Sequence, residues 1–218
     1  MKVTYETITH NKKINSYIAN ADKTLKVMGY TEHSFLHVLI CVGVVEKVLD
    51  YLKYDKHTIE LGKIAAYMHD IGNGINRVAH GLTGATMAFT LLDRLEMDPD
   101  DISKIIQAIG HHDEFAAGSM SEVSAALLLA DKTDVRRSRV RTDTADKSGI
   151  HYRVNYSCTD SKIYLKNNIF MLKLTIDTEI CSVLDYFKAF IERMDLSVDA
   201  ARYLGLEFEL YINDQKMC

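Results

Sequence analysis

The chain has 218 residues, 47% hydrophobic and 26% charged, with a formal net charge of −4. That length bounds it to one full domain, or a domain with a small appendage, of ordinary globular composition. A mildly acidic balance excludes a basic nucleic-acid footprint, so small anionic partners must be attracted locally, by metals or by a few arginines.

Residues 1–15 are polar and lack the apolar core of a secretory signal. Ile14, Ile18, Ala21, Leu25 and Met28 recur at helical spacing and predict a first helix over residues 15–28, stopped at Gly29. Thr31 reads as the N-cap of a helix reaching about Leu52, nearly all apolar from Phe35 to Val45 and therefore buried. Its apolar run is far too short to span a bilayer. His33 and His37, four apart, fall on one face of it. Thr58 is expected to cap the next helix, residues 59–70, which ends at the turn Gly72-Asn73-Gly74. Adjacent residues on a regular helix diverge by about 100°, so His69 and Asp70 converge only if the helix stops there.

A further helix is predicted over residues 81–96, with His80 at its start. Asp98-Pro99 opens another, whose face of Ile102, Ile105, Ile106 and Ile109 leads to His111-His112. Ser121 opens the next, and Ala125 to Ala130 deliver Asp131 at its end. The basic run Arg136-Arg137-Ser138-Arg139-Val140-Arg141 follows, with Arg136 and Arg139 on one face if the helix continues. Residues 142–149 form a polar connector without periodicity. Beyond it, strand-like runs are predicted at 150–156, 162–166, 170–176 and 207–212, with an amphipathic helix at 179–194 and a short helix at 197–204. The fold class is thus mainly α: a helical bundle over 1–145, then a small α+β subdomain over 146–218 with a short antiparallel sheet. Cys41, Cys158, Cys181 and Cys218 show no paired spacing, which fits reduced thiols in a cytoplasm.

Neutral imidazole and carboxylate are the ligands that borderline divalent metals accept. The order His37, His69-Asp70, His111-His112, Asp131, each on or beside an apolar helix, closely resembles the HD-domain metal-dependent phosphohydrolases over residues 20–141. The resemblance implies that His37, His69, Asp70 and Asp131 ligate metal. It also implies that His80, His111 and His112 belong to a binuclear set with Asp70 as the bridge. Asp70, His80 and His112 are the residues expected to act in catalysis. His112 is otherwise a substrate contact, and His33 is either a further ligand or a residue that holds one from behind. His10, His57 and His151 stand outside the pattern and read as surface histidines.

The implied cofactors are two divalent ions from among Fe, Mn, Co, Ni and Zn, with Mg as an option. The implied chemistry is hydrolysis of a phosphomonoester or phosphodiester, of a nucleotide or another small phosphorylated metabolite, by metal-activated water. Arg136, Arg139, Lys132 and Arg77 are the candidate phosphate contacts, because guanidinium forks match phosphate oxygens. A Gly-Tyr-Pro motif after the paired histidines is missing, which disfavours the cyclic-dinucleotide branch. No acidic residues follow the His-Asp pair, which disfavours the alarmone hydrolases. Two other readings stay open: a di-iron oxygenase on the same ligands, and a non-catalytic metal-binding regulator. A homodimer contact is compatible with the C-terminal subdomain, and no membrane partner is expected.

Overall fold

The computed structural model describes residues 3–113, 118, 120–141 and 149–218. Helices α1 (Tyr5–Thr9) and α2 (Lys12–Val27) are capped by Thr4 and Asn11. α3 spans Phe35–Tyr51 and α4 spans Lys56–Met68. α5 (His80–Asp93), α6 (Pro99–Gly110) and α7 (Glu122–Lys132) complete the helical layer that carries the predicted site. Two starts differ from expectation because a better cap lies nearby. Ser34, whose hydroxyl accepts from Leu36 N, opens α3 in place of Thr31. Asp55, which accepts from His57 and Thr58 N, opens α4 in place of Thr58. A hydroxyl or carboxylate that satisfies one or two orphan amides fixes where a helix begins.

The C-terminal part departs further. Residues 150–156 are not a strand: they form most of α8 (Ile150–Ser157), which turns Val154, Asn155 and Ser157 inward. The two helices expected at 179–194 and 197–204 are one, α9 (Val183–Tyr203), because neither Gly nor Pro interrupts it. Strands β1 (Cys158–Lys166), β2 (Ile169–Ile176), β3 (Glu207–Ile212) and β4 (Gln215–Lys216) form a sheet in the order β1-β2-β3-β4. The β1–β2 and β3–β4 pairs are antiparallel, but β2 and β3 run parallel, since α9 returns the chain between them. Both hairpins turn on two left-handed residues, Asn167-Asn168 and Asn213-Asp214, as two-residue loops require.

α9 lays Tyr186, Phe190, Met194, Ala200 and Ala201 inward and packs on α7. Each large side chain so buried contributes about 1.5–3 kcal/mol. One hydrophobic cluster therefore runs from Ile14 and Val45 through Leu128 of α7 to Phe190 and the inward row Phe170, Leu172, Leu174 and Ile176 of β2. The expected boundary at 145/146 lies outside the described residues. No helix among the described residues is long and apolar enough to cross a membrane.

Candidate metal centre

α4 stops at Met68, and the chain continues into a 3-10 turn over Ile71–Gly74. His69 caps the helix and Asp70 leaves it, so two adjacent side chains reach the same place. Gly72 makes this possible: a Cβ there would lie 2.0 Å from the backbone oxygen of His80, so the turn presses on the start of α5. α3 brings His37 from its first turn, α7 brings Asp131 from its last, and the end of α6 brings His112. His37 and His69 are 0% exposed, His112 1%, His80 3% and Asp70 5%.

The histidines share one device. Nδ1 of His37 lies 2.7 Å from Asp134 Oδ2, and Nδ1 of His69 lies 2.8 Å from Ala66 O. Nδ1 of His80 lies 3.1 Å from Arg77 O, and Nδ1 of His112 lies 2.6 Å from Ile109 O. All four partners are acceptors, so each Nδ1 carries the proton and donates it. Nε2 of each ring is thereby turned inward, and a ring that carries its one proton on Nδ1 offers the Nε2 lone pair there, as metal-ligating imidazoles do. The Nε2 atoms of His80 and His112 lie 3.1 Å apart, two lone pairs facing each other unless a cation or proton sits between. Among the described residues, His69 Nε2 and Asp70 Oδ2 are buried with no hydrogen-bond partner. Buried polar atoms without partners are costly, and a divalent cation would satisfy both. The donor set therefore fits a metal.

Asp70 divides the cluster. Its Oδ2 lies 3.3 Å from His69 Nε2 and 3.6 Å from His37 Nε2. Its Oδ1 lies 3.5 Å from His80 Nε2 and 3.8 Å from His112 Nε2. Asp131 joins the first half, its Oδ1 3.4 Å from His37 Nε2. Among the described residues, the groups close enough to share one ion are His37, Cys41, His69 and Asp131, and separately His69, Asp70 and His112. His80 and His111 belong to neither: His80 joins the second group only through its Nε2, 3.1 Å from His112 Nε2, whereas His111 caps α6 and its neighbour His112 enters the cluster instead. His33 precedes α3, with its Nδ1 2.8 Å from Thr31 O and its ring 5.4 Å from that of His37, and it lines the adjoining cleft.

Burial opposes a charge on His69, yet Asp70 and Asp131 outweigh it and lift its pKa to about 8. Burial likewise opposes ionisation of Asp70, but His69, His33 and His112 hold it well below the usual carboxylate range. Asp131 is held low against burial by Lys132 and His37. Burial, then Asp131 and Asp134, push the Cys41 thiol well up, so it stands as a neutral thiol.

The arginine run does not continue the helix. α7 ends at Lys132, and a 3-10 turn follows over Arg137–Arg139, so the helical phase that paired Arg136 with Arg139 is lost. Arg136 is held by Asp134 at 2.6 and 3.0 Å and by Glu32 at 3.4 Å. A cleft of about 370 Å³ opens beside the cluster; Arg77, Lys132 and Arg139 line it and Arg136 does not. Arg139 is buried and donates to Glu32 O and Asp134 O. Lys132 Nζ reaches Asp131 Oδ2 at 2.8 Å. Arg77 Nη1 donates to Asn73 Oδ1 at 3.1 Å and lies 3.3 Å from His80 Nε2.

Sequence reasoning missed several supports. Asp134, three residues after Asp131, fixes the His37 ring; Asn73 donates to Asp70 Oδ1 at 2.8 Å; and Asp113 Oδ2 lies 3.4 Å from His80 Nδ1. Their signal was polar residues one helical turn from a ligand, or directly after one. The cleft is also lined by His151, Tyr152, Asn155, Phe190 and Arg193 of the C-terminal part, His151 having been expected at an uninvolved surface.

Residues 30–139 match the HD domain family. An uncharacterized protein of Methanocaldococcus jannaschii is 25% identical over 168 residues, which cover 67% of this chain and 64% of that protein. The chain thus spans just under two thirds of the length of this relative. A crystal structure of a predicted HD superfamily hydrolase from an uncultured Thermotogales bacterium superposes with a TM-score of 0.46 at 22% identity, covering 58% of this chain and 69% of the other.

Proposed function

The chain belongs to the HD domain family, and on that footing we propose that it is a metal-dependent phosphohydrolase acting on a small phosphate ester. The observation that carries this is the convergence of four inward Nε2 atoms on two carboxylates beside a cleft with cationic walls. The division of Asp70, with one oxygen toward each half, supports two ions per chain, to each of which Asp70 would contribute. His37, His69 and Asp131 would hold one ion, and His80 and His112 the other. When bound, divalent ions supply Lewis acidity, acidifying water and offsetting charge on phosphate oxygens.

The chain's own groups do the rest. Arg77 and Lys132 present positive charge to the cleft and would bind the phosphate. Arg139 braces the wall through its backbone hydrogen bonds. Asn73 and Asp134 hold Asp70 and His37 in place, which keeps ligand geometry fixed while substrate exchanges. Four free cysteines, three of them buried, support a reducing cytoplasmic setting.

The test is phosphate release from a panel of phosphomonoesters and phosphodiesters by the full chain, with manganese, cobalt, nickel or magnesium. Release that chelator abolishes and metal restores is expected. No release with any metal, together with oxygen consumption by the iron-loaded protein, would move the assignment to an oxygenase on the same ligands.

A further inference from the structure

The cleft that begins at the metal cluster ends on the C-terminal helices. Phe190 of α9 is 1% exposed and serves as a floor. The ring of His151 lies 5.7 Å from it, and the Arg193 guanidinium lies 4.6 Å from its ring centre. Tyr152 stacks on Tyr156 at 5.6 Å and 13°, which fixes the plane of its ring. Asn155 donates to His151 O at 2.8 Å, tying the amide to the same turn of α8. Tyr30 adds one more ring to the cleft from the connection before α3, with the Arg77 guanidinium 5.5 Å from it.

Away from the metals, then, the wall is built of flat groups braced by one another. Flat, polarisable faces favour flat ligands, because stacking needs a π-face on both sides and tolerates many ring types. An aliphatic alcohol would leave those faces against water and gain little. A cleft of about 370 Å³ lies near the small end of ligand sites, room for one ring system joined to one phosphate.

Building on the phosphohydrolase assignment, we propose that α8 and α9 form a specificity wall. The phosphate ester taken by this chain carries a planar heterocycle, recognised by His151 and Tyr152, with Phe190 behind His151 and Arg193 over Phe190. The C-terminal part is therefore a portion of the substrate site and not a separate regulatory module.

The experiment is calorimetric titration of the metal-loaded full chain with inorganic phosphate, ribose 5-phosphate and adenosine 5′-monophosphate. Where turnover is seen, KM replaces the dissociation constant. The wild type is expected to bind the purine ester about tenfold more tightly than ribose 5-phosphate. Tyr152→Ala and His151→Ala, both at positions that are not fully buried, should erase that preference while phosphate affinity stays within about twofold. Equal affinity of the wild type for the two esters would overturn the proposal, as would variants that weaken all three probes alike. Failure of phosphate itself to bind would bring down the phosphohydrolase assignment and this inference with it. Phosphate binding without ring preference would overturn the wall alone.

Discussion

Replacing Asp134 by asparagine keeps the shape of the side chain and removes its charge where His37 is held. The carboxyl group is buried beside α7, its Oδ2 2.7 Å from His37 Nδ1 and 3.0 Å from Arg136 Nη2, its Oδ1 2.6 Å from Arg136 Nε. Burial would raise its pKa, but Arg139, His37 and Arg136 hold it well below the usual carboxylate range. An amide has one oxygen for these donors, so its NH₂ must face either His37 Nδ1–H or Arg136, donor against donor. Losing a charge-assisted hydrogen bond costs about 1.5–3 kcal/mol, and stranding a buried donor roughly 1–3 more. Asp134→Asn should therefore lower the stability of the metal-free protein by about 3–5 kcal/mol in urea denaturation. With its Nδ1 partner gone, the His37 ring loses its fixed tautomer, and metal affinity should fall about 10–100-fold in a chelator competition. A variant within about 0.5 kcal/mol and twofold of wild type would refute the reasoning. Lost stability with unchanged metal affinity would show that Asp134 serves the arginines and not His37.

Gly72→Ala should destabilise by roughly 1–3 kcal/mol or more and displace Asp70, because the new Cβ meets the His80 carbonyl; a melting temperature equal to wild type would contradict this. Metal affinity should rise between pH 6.5 and about 8, since His69, lifted to about 8, must shed a proton to ligate. A folded pKa above the unfolded one adds stability below pH 6.5 that is lost as pH climbs through 8, so the metal-free protein should lose this increment over the same window. Affinity that is flat with pH would count against ligation by His69. Arg77→Ala should raise KM for a phosphoester about tenfold, whereas Arg136→Ala should leave KM within about twofold and lower stability instead; the reverse pattern would place Arg136 in the cleft.

Much of the helical layer was legible because its signals are local. Asp98-Pro99 and Ser121 cap the helices where their letters say, and Gly72 marks the turn that lets His69 and Asp70 converge. The convergence of His37, His69, Asp70 and Asp131 was legible as well, since His37 opens an apolar helix and the other three stand at the ends of apolar helices. The choice between His111 and His112 was not, because it depends on how α6 unwinds at its last turn. The helical phase expected for Arg136 and Arg139 failed for the same kind of reason: the end of α7 carries no Gly or Pro to announce it. Residues 150–156, with two Tyr, an Ile and a Val among seven, read as strand, and only packing against α9 makes them α8. The strand runs at 162–166 and 170–176 were legible from their alternation, but the parallel pairing of β2 with β3 depends on the return path of α9. Asp134 and the C-terminal wall of the cleft arise from tertiary contacts far apart in sequence, which periodicity does not report.

The most direct measurement is metal stoichiometry of the purified full chain against Asp70→Ala, by titration of manganese or cobalt into chelator-treated protein. Asp70 offers one oxygen to each half of the cluster, so the wild type should take up about two ions and the variant none with comparable affinity, while both stay folded. A wild type that binds no ion, or an Asp70→Ala protein that binds as the wild type does, would contradict the metal centre on which the proposed chemistry rests.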